Sequence, residues 1–379
     1  MSTPPLERAT HAADGSAHRL NLALQGGGSH GAFTWGVLDA LLEDGRIALE
    51  GISGTSAGAM NAVALAHGFA QSLGKPQADA REAARESLAN FWNGIVAMGV
   101  LGQAQRAPFD LLFGQLGGSS NPTALWADAM TRAWSSTLSP YQSNPFDLNP
   151  LKKFLESQVD FERLADLQAL KVFVVATRVT TGKAEVFSGR RLTAKAVMAS
   201  ACLPMVFQAV EIEGDHFWDG GYSGNPAIHP LIYQCASRDI MLVQINPIRR
   251  DKLPTNASDI MDRLNEITFN AALIAEMRAI DFVKRLLKEG KLDPTHYKDV
   301  LMHRIDGGQA LEQFSASTKT STDAKLIKSL HELGRDCARE WMSRHHASLG
   351  VAGTVNIARD YLDDLRMPVQ AHGGGPTAP

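Results

Sequence analysis

Two apolar runs, each followed by small residues and then by a segment of helical period, open the patterned part of the chain. Leu20-Asn21-Leu22-Ala23-Leu24-Gln25 reads as a strand, and Ala32 to Glu43 reads as a helix with Phe33, Val37, Leu38, Leu41 and Leu42 on its apolar face. Between them lies Gly26-Gly27-Gly28-Ser29-His30-Gly31. Ile47 to Ser53 repeats the strand, and Ala57 to Ala70, rich in Ala, Met, Val and Leu, repeats the helix. Strands that alternate with helices build a parallel sheet, and the loops after its strands leave from one edge.

The pattern then changes. After Pro76 a charged segment runs through Asn90 into Phe91-Trp92-Asn93 and reads as a helix with a solvated face. Residues 99–150 mix Phe109, Leu111, Leu112, Phe113, Leu116, Trp126 and Trp134 with many Gly, Ser, Asn and Pro, which predicts an insertion, either a lid over a pocket or a structural unit packing its own aromatics. Lys171 to Thr177 is a strand, and Thr180-Thr181-Gly182-Lys183 turns it into Ala184 to Ser188. Leu192 to Cys202 reads as a helix that stops before Pro204. Val206 to Glu213 alternates as a strand, Gly214-Asp215 is its turn, and His216-Phe217-Trp218 leads to Asp219-Gly220-Gly221-Tyr222. Asp239 to Asn246 is the last predicted strand.

From Ser258 the period is helical. Leu264, Ile267, Ala271, Ile274, Met277, Ile280, Val283 and Leu287 form a stripe that Gly290 ends. Such a stripe packs on its own domain or meets a partner or a membrane. Further helices are expected over Asp323 to His345 and Asn356 to Leu365. The organisation predicted is an arm over 1–17, an α/β domain over 18–248, a helical region over 249–367 and an unstructured tail over 368–379.

Composition adds limits. The 379 residues are 44% hydrophobic and 20% charged, with a net charge of −3, so no overall field favours nucleic acid. Cys202, Cys235 and Cys337 have no metal spacing, and they predict buried thiols in a reducing compartment. The first nineteen residues lack the apolar core of a signal peptide, and no run of about 18 apolar residues could span a bilayer. The expectation is a cytoplasmic protein, with peripheral contact to a membrane left open.

The chemistry begins at Gly54-Thr55-Ser56-Ala57-Gly58, which fits Gly-x-Ser-x-Gly at a strand-to-helix turn. That turn is a nucleophile elbow: it strains the serine backbone, exposes the hydroxyl and needs small residues at 54 and 58. Gly26 to Gly28, on the neighbouring loop, can turn N–H groups toward Ser56 as an oxyanion hole. The same glycines also satisfy Gly-x-Gly-x-x-Gly through Gly26, Gly28 and Gly31. A dinucleotide fold wants an acid at the end of the second strand, and Glu50 lies too early for it. Ser56 needs a base. His296 and His303 stand late enough in the chain, while His345 and His346 fall in a helix. Asp219, at a strand end before two glycines, could take the proton itself if partial burial raised its pKa.

Gly26-Gly27-Gly28-Ser29-His30-Gly31, Gly54-Thr55-Ser56-Ala57-Gly58, Ala199-Ser200-Ala201-Cys202-Leu203-Pro204 and Asp219-Gly220-Gly221, in that order, resemble the patatin-like phospholipase family over about residues 18 to 248. The resemblance implies a three-layer α/β/α sandwich with a mainly parallel sheet, here carrying a C-terminal helical extension. It implies hydrolysis of lipid acyl esters by Ser56 as nucleophile and Asp219 as base. Gly26, Gly27, Gly28 and Ser29 would supply the oxyanion loop, Gly54 and Gly58 the elbow, with His30 and Gly221 in support. It implies neither metal nor cofactor. One position departs: the family's loop usually carries Arg or Lys where His30 stands, so a preference for phosphate-bearing lipids is not implied. A His-dependent esterase or thioesterase, and a lipid-binding scaffold without catalysis, remain the alternatives.

Overall fold

A computed structural model describes residues 17–114, 139–143, 147, 149–204, 206–314, 318–319 and 321–363. The predicted tail, nearly all of the arm and the middle of the predicted insertion lie outside the described residues. In chain order the main elements are β1 (His18–Leu24), α1 (Gly31–Asp44), β2 (Ile47–Gly54), α2 (Ala57–Gln71), α3 (Gln77–Gly114) and α4 (Pro150–Gln158). There follow β3 (Lys171–Arg178), β4 (Ala184–Phe187), α5 (Ala194–Ser200), β5 (Val210–Ile212), β6 (Asp215–Asp219), α6 (His229–Gln234) and β7 (Asp239–Gln244). The chain closes with α7 (Ala257–Lys288), β8 (Leu301–Asp306), α8 (Ala324–His345) and α9 (Ile357–Tyr361).

The strands form one sheet in the order β5-β6-β3-β2-β1-β7-β8, with β4 also on β3. β1, β2, β3, β7 and β8 run parallel, and β4, β5 and β6 are antiparallel additions. Successive side chains point to opposite faces. Leu20, Leu22, Leu24, Ile52, Val174 and Val243 therefore pack with α1, α2, α3 and α8 in one core. Ala23, Phe173, Ile240 and Leu242 pack with α6, α7 and α9 in the other. The result is a three-layer α/β/α sandwich. Among the described residues no helix is long and apolar enough to cross a membrane.

The first two βα units match their sequence pattern closely. Four other features differ. α3 does not stop near Asn93 but continues to Gly114 into the predicted insertion, and Ala84, Leu88, Phe91 and Trp92 give it a buried face against α2. The strand predicted from Val206 shrinks to Val210–Ile212, and its turn is Glu213-Gly214, one residue early. Both turn residues have positive φ, 54° and 84°, as a tight hairpin of this twist requires. β8 lies inside the region expected to be helical. It pairs parallel with β7 over six residues, so the sheet continues past residue 248.

The α7 stripe is also rotated from the predicted one. Leu273, Met277 and Ile280 are buried, but Leu264 and Ile267 are each 51% exposed. In the first half of the helix Glu266 and Asn270 face inward instead.

Candidate active site

Parallel pairing of β1 with β2 sets Leu24 beside Gly54, so the loops after both strands leave together. Ser56 stands between β2 and α2 at φ 54°, ψ −120°, a conformation costly for a residue with Cβ. Its N–H donates to Ser200 Oγ at 2.9 Å, and Gly58 N–H donates to the Thr55 carbonyl at 2.8 Å. Neither glycine of the turn has room for a Cβ: on Gly54 it would meet the Gly58 backbone, and on Gly58 the carbonyls of Leu24 and Gln25. Gly26 comes as close from the other loop: a Cβ there would stand 2.8 Å from Ser56 Cβ.

Sheet register also brings Asp219 to Ser56. Gly54 pairs with Val174 of β3, and Asp219 pairs with Ala176 two residues further along the same strand. Asp219 is 1% exposed. Its Oδ1 accepts the Gly221 N–H at 2.7 Å, and the Ser56 hydroxyl lies near enough to its carboxyl to favour the ionised form. Burial outweighs both influences and raises its pKa to about 7.

The glycine loop is held from behind by amides. Gln25 Oε1 accepts the N–H groups of Ile245 and Asn246, each at 2.9 Å. Gln25 Nε2 donates to the Asn225 carbonyl and to Asn270 Oδ1, each at 3.2 Å. Asn246 Nδ2 donates to the Gly26 carbonyl at 2.7 Å. The Gly26 N–H donates to Asn225 Oδ1 at 2.7 Å, so Gly26 has no donor left for an oxyanion. The N–H groups of Gly27 and Gly28 have no partner among the described residues. Ser29 is buried in the 3₁₀ turn that follows, where its carbonyl accepts from Gly31.

His30 is buried, and its Nε2 meets Thr318 Oγ1 at 2.7 Å. Burial, then the charges of Lys319 and Arg250, lower its pKa to about 4. The ring is therefore neutral at pH 7, so His30 does not supply a cation. Gly221 serves Asp219 as described, and Tyr222 after it packs edge-on to Phe269 of α7 with ring centroids 5.2 Å apart.

The other candidates lie elsewhere. His303 is buried against Asp239 at 2.9 Å, and exposed His296 pairs with Asp293. His345 lies beside Trp341, and His346 beside His18. Among the described residues no histidine bonds Ser56. Glu50 accepts the N–H groups of Ala236 and Ser237 and is not placed to read a ribose. Cys202 and Cys235 are buried, and burial raises all three thiols, Cys202 to about 12 and the others to about 11. Two clefts of about 680 and 600 Å³ are lined by neither Ser56, Asp219 nor the glycine loop.

A strained serine, a buried carboxyl near it and a glycine loop beside both thus come from three separated stretches of sequence. The sequence model of the family described as patatin-like phospholipase matches residues 22–232, more than half of the chain and every one of those stretches. The chain belongs to this family. Membership places it among lipid acyl hydrolases in general. Among solved structures it is similar to VipD from Legionella pneumophila, with 16% identity and a TM-score of 0.40, over 92% of this chain and 73% of that one. No curated protein matches the chain.

Within this patatin-like site, sequence reasoning missed the supporting layer. Ser200 was visible only as part of a motif, and its hold on the Ser56 backbone was not. Gln25 and Asn246 had a weak signal, each a polar residue closing an apolar strand. Asn225, Asn270 and Lys319 had none.

Proposed function

We propose that this protein hydrolyses lipid acyl esters through Ser56 and Asp219, in the manner of a phospholipase A or lysophospholipase. The observation that carries the reading is the placement of a strained Ser56 beside a buried carboxyl that burial raises to about 7. A serine hydroxyl attacks only when its proton has somewhere to go. A carboxylate with a pKa of about 7 is a far better acceptor than one near 4. Asp219 takes the proton as Ser56 Oγ bonds the ester carbon, and the N–H groups of Gly27 and Gly28 receive the developing oxyanion. Losing one such donor typically costs 10²–10³ in rate. Asp219 returns the proton to the departing alcohol or lysolipid. Water, deprotonated by Asp219, then releases the fatty acid from Ser56.

The positive end of α2 adds stabilisation where charge develops. The chain's own groups account for each proton in this scheme, and we propose no cofactor and no nucleic-acid partner. The half-exposed Leu264 and Ile267 on α7, the helix that also carries Phe269 to the site, favour peripheral contact with a lipid surface.

A fluorophosphonate probe tests the reading, with the labelled residue located by mass spectrometry and a short-chain p-nitrophenyl ester assayed in parallel. Wild type should be labelled on Ser56 and turn over the ester. Ser56→Ala and Asp219→Asn should lose turnover by at least about 10³. A folded Asp219→Asn that keeps its activity, with loss in a histidine variant, would give the role of base to histidine. A folded wild type with neither label nor turnover would leave a lipid-binding protein.

A further inference from the structure

Lys319 is distant from the glycine loop in sequence, yet it packs against Gly28, next to the Thr318 that meets His30 across 288 positions. Its carbonyl occupies the space that a side chain on Gly28 would need, and Gly28 itself has φ +58°. Its Nζ donates to Asn246 Oδ1 at 2.9 Å. Asn246 also holds the Gly26 carbonyl, so one amide side chain separates the ammonium from the loop.

An ammonium has three protons to donate. Among the described residues Lys319 has this one hydrogen bond, to a neutral acceptor, and no carboxylate as ion-pair partner. Glu266, whose charge reaches it, is engaged by Arg250 at 2.6 Å and Arg263 at 3.2 Å. Burial and the charge of Arg250 lower the Lys319 pKa against the pull of Glu266 and Asp262. A shielded cation with unused donors, beside two unused backbone N–H groups, is suited to an anion. His30 is neutral and Arg250 is paired with Glu266, so among the described residues Lys319 is the cation held against the loop without an ion-pair partner.

We propose that Lys319 is a specificity-determining residue whose ammonium binds the phosphodiester of a glycerophospholipid while an acyl ester of the same glycerol lies at Ser56. This rests on the acyl-hydrolase reading above and adds to it a reason for preferring phospholipid over neutral glyceride. The two groups of the substrate are joined through one glycerol, which suits a cation packed against the loop that carries the oxyanion donors.

The test compares wild type, Lys319→Met and Lys319→Arg on phosphatidylglycerol and on diacylglycerol with the same acyl chains, in nonionic micelles, with Ser56 labelling followed in each protein. Losing a charge-assisted contact should lower the phosphatidylglycerol-to-diacylglycerol ratio of kcat/KM by about tenfold or more in Lys319→Met, mainly through KM. Lys319→Arg should keep most of the ratio. If Lys319→Met does not fold, Lys319→Gln takes its place in the comparison. An unchanged ratio, or equal loss on both lipids, overturns the proposal while Ser56 labelling leaves the hydrolase reading intact. Inorganic phosphate in the diacylglycerol assay should have no effect. A phosphate-dependent rate change that vanishes in Lys319→Met would assign the site to free phosphate instead and overturn the proposal. A wild type with neither label nor turnover overturns both readings.

Discussion

The Asp219 carboxyl has opposite consequences for activity and for stability. As the base it must be ionised, so kcat/KM on an uncharged short-chain ester should rise with pH, inflect near 7 and level off above about 8. His30 is already neutral across that range. His30→Gln should therefore keep the inflection, and a pH–rate profile of both proteins checks this. For stability the sign is reversed. The unfolded carboxyl ionises near 3.8, whereas the folded one holds its proton up to about 7. Between those values the folded state binds the extra proton, so stability falls as pH rises through the window and does not return above it. Asp219→Asn keeps the shape without the charge. It should stabilise the fold by up to about 4 kcal/mol at pH 8 and by almost nothing at pH 4, as read from urea unfolding at both values. An inactive variant that is more stable than wild type would mark Asp219 as a site where function is maintained at the expense of the fold.

At the scale of elements, the same contrast explains what could be read from sequence. β1, α1, β2 and α2 were legible because their buried faces are apolar at the period of the element. The Ser56 turn was legible because glycines mark it on both sides. β8 was not: His303 and Arg304 interrupt Leu301, Met302 and Ile305, and His303 is tolerated inside because Asp239 and Thr354 meet its two ring nitrogens. The first half of α7 misled for a related reason. Its inward line is Glu266 and Asn270, while Leu264 and Ile267 face out. Glu266 is 2% exposed, and Arg250, Arg263 and the nearby Lys319 outweigh its burial and hold its pKa down. Removing that carboxylate would leave three cations facing one another. Breaking a buried ion pair from one side costs roughly 3–5 kcal/mol. Glu266→Gln should therefore lower stability by about that amount, whereas Glu162→Gln on the exposed surface should change it by less than about 0.5 kcal/mol. Chemical denaturation of the two variants separates these outcomes.

At the scale of the molecule, the question is whether the family-matched segment is a folding unit. That match ends at residue 232, and the sequence pattern suggests a boundary near 248. The packing argues otherwise. β7 would be an edge strand without β8, which pairs with all six of its residues. An exposed apolar edge invites pairing with another chain. α8 lies along α1, where Gly36 and Gly334 admit the opposite helix's backbone so closely that neither could carry a Cβ. Arg335 of α8 reaches Asp39 and Glu43 of α1, and Leu330, Ala338 and Met342 belong to the same core as Phe33 and Val37. Asn270 and Lys319 complete the support of the glycine loop from beyond the boundary. A protein ending at residue 248 would open this core and leave Gln25 and Asn246 with lost partners, so it should aggregate or stay unfolded instead of forming a smaller hydrolase. Size-exclusion chromatography, circular dichroism and Ser56 labelling of residues 1–248 decide the point. A monomer that unfolds cooperatively and takes the label would show that the C-terminal third is an addition to the hydrolase. Loss of all three signals would show that the catalytic loop depends on the whole chain.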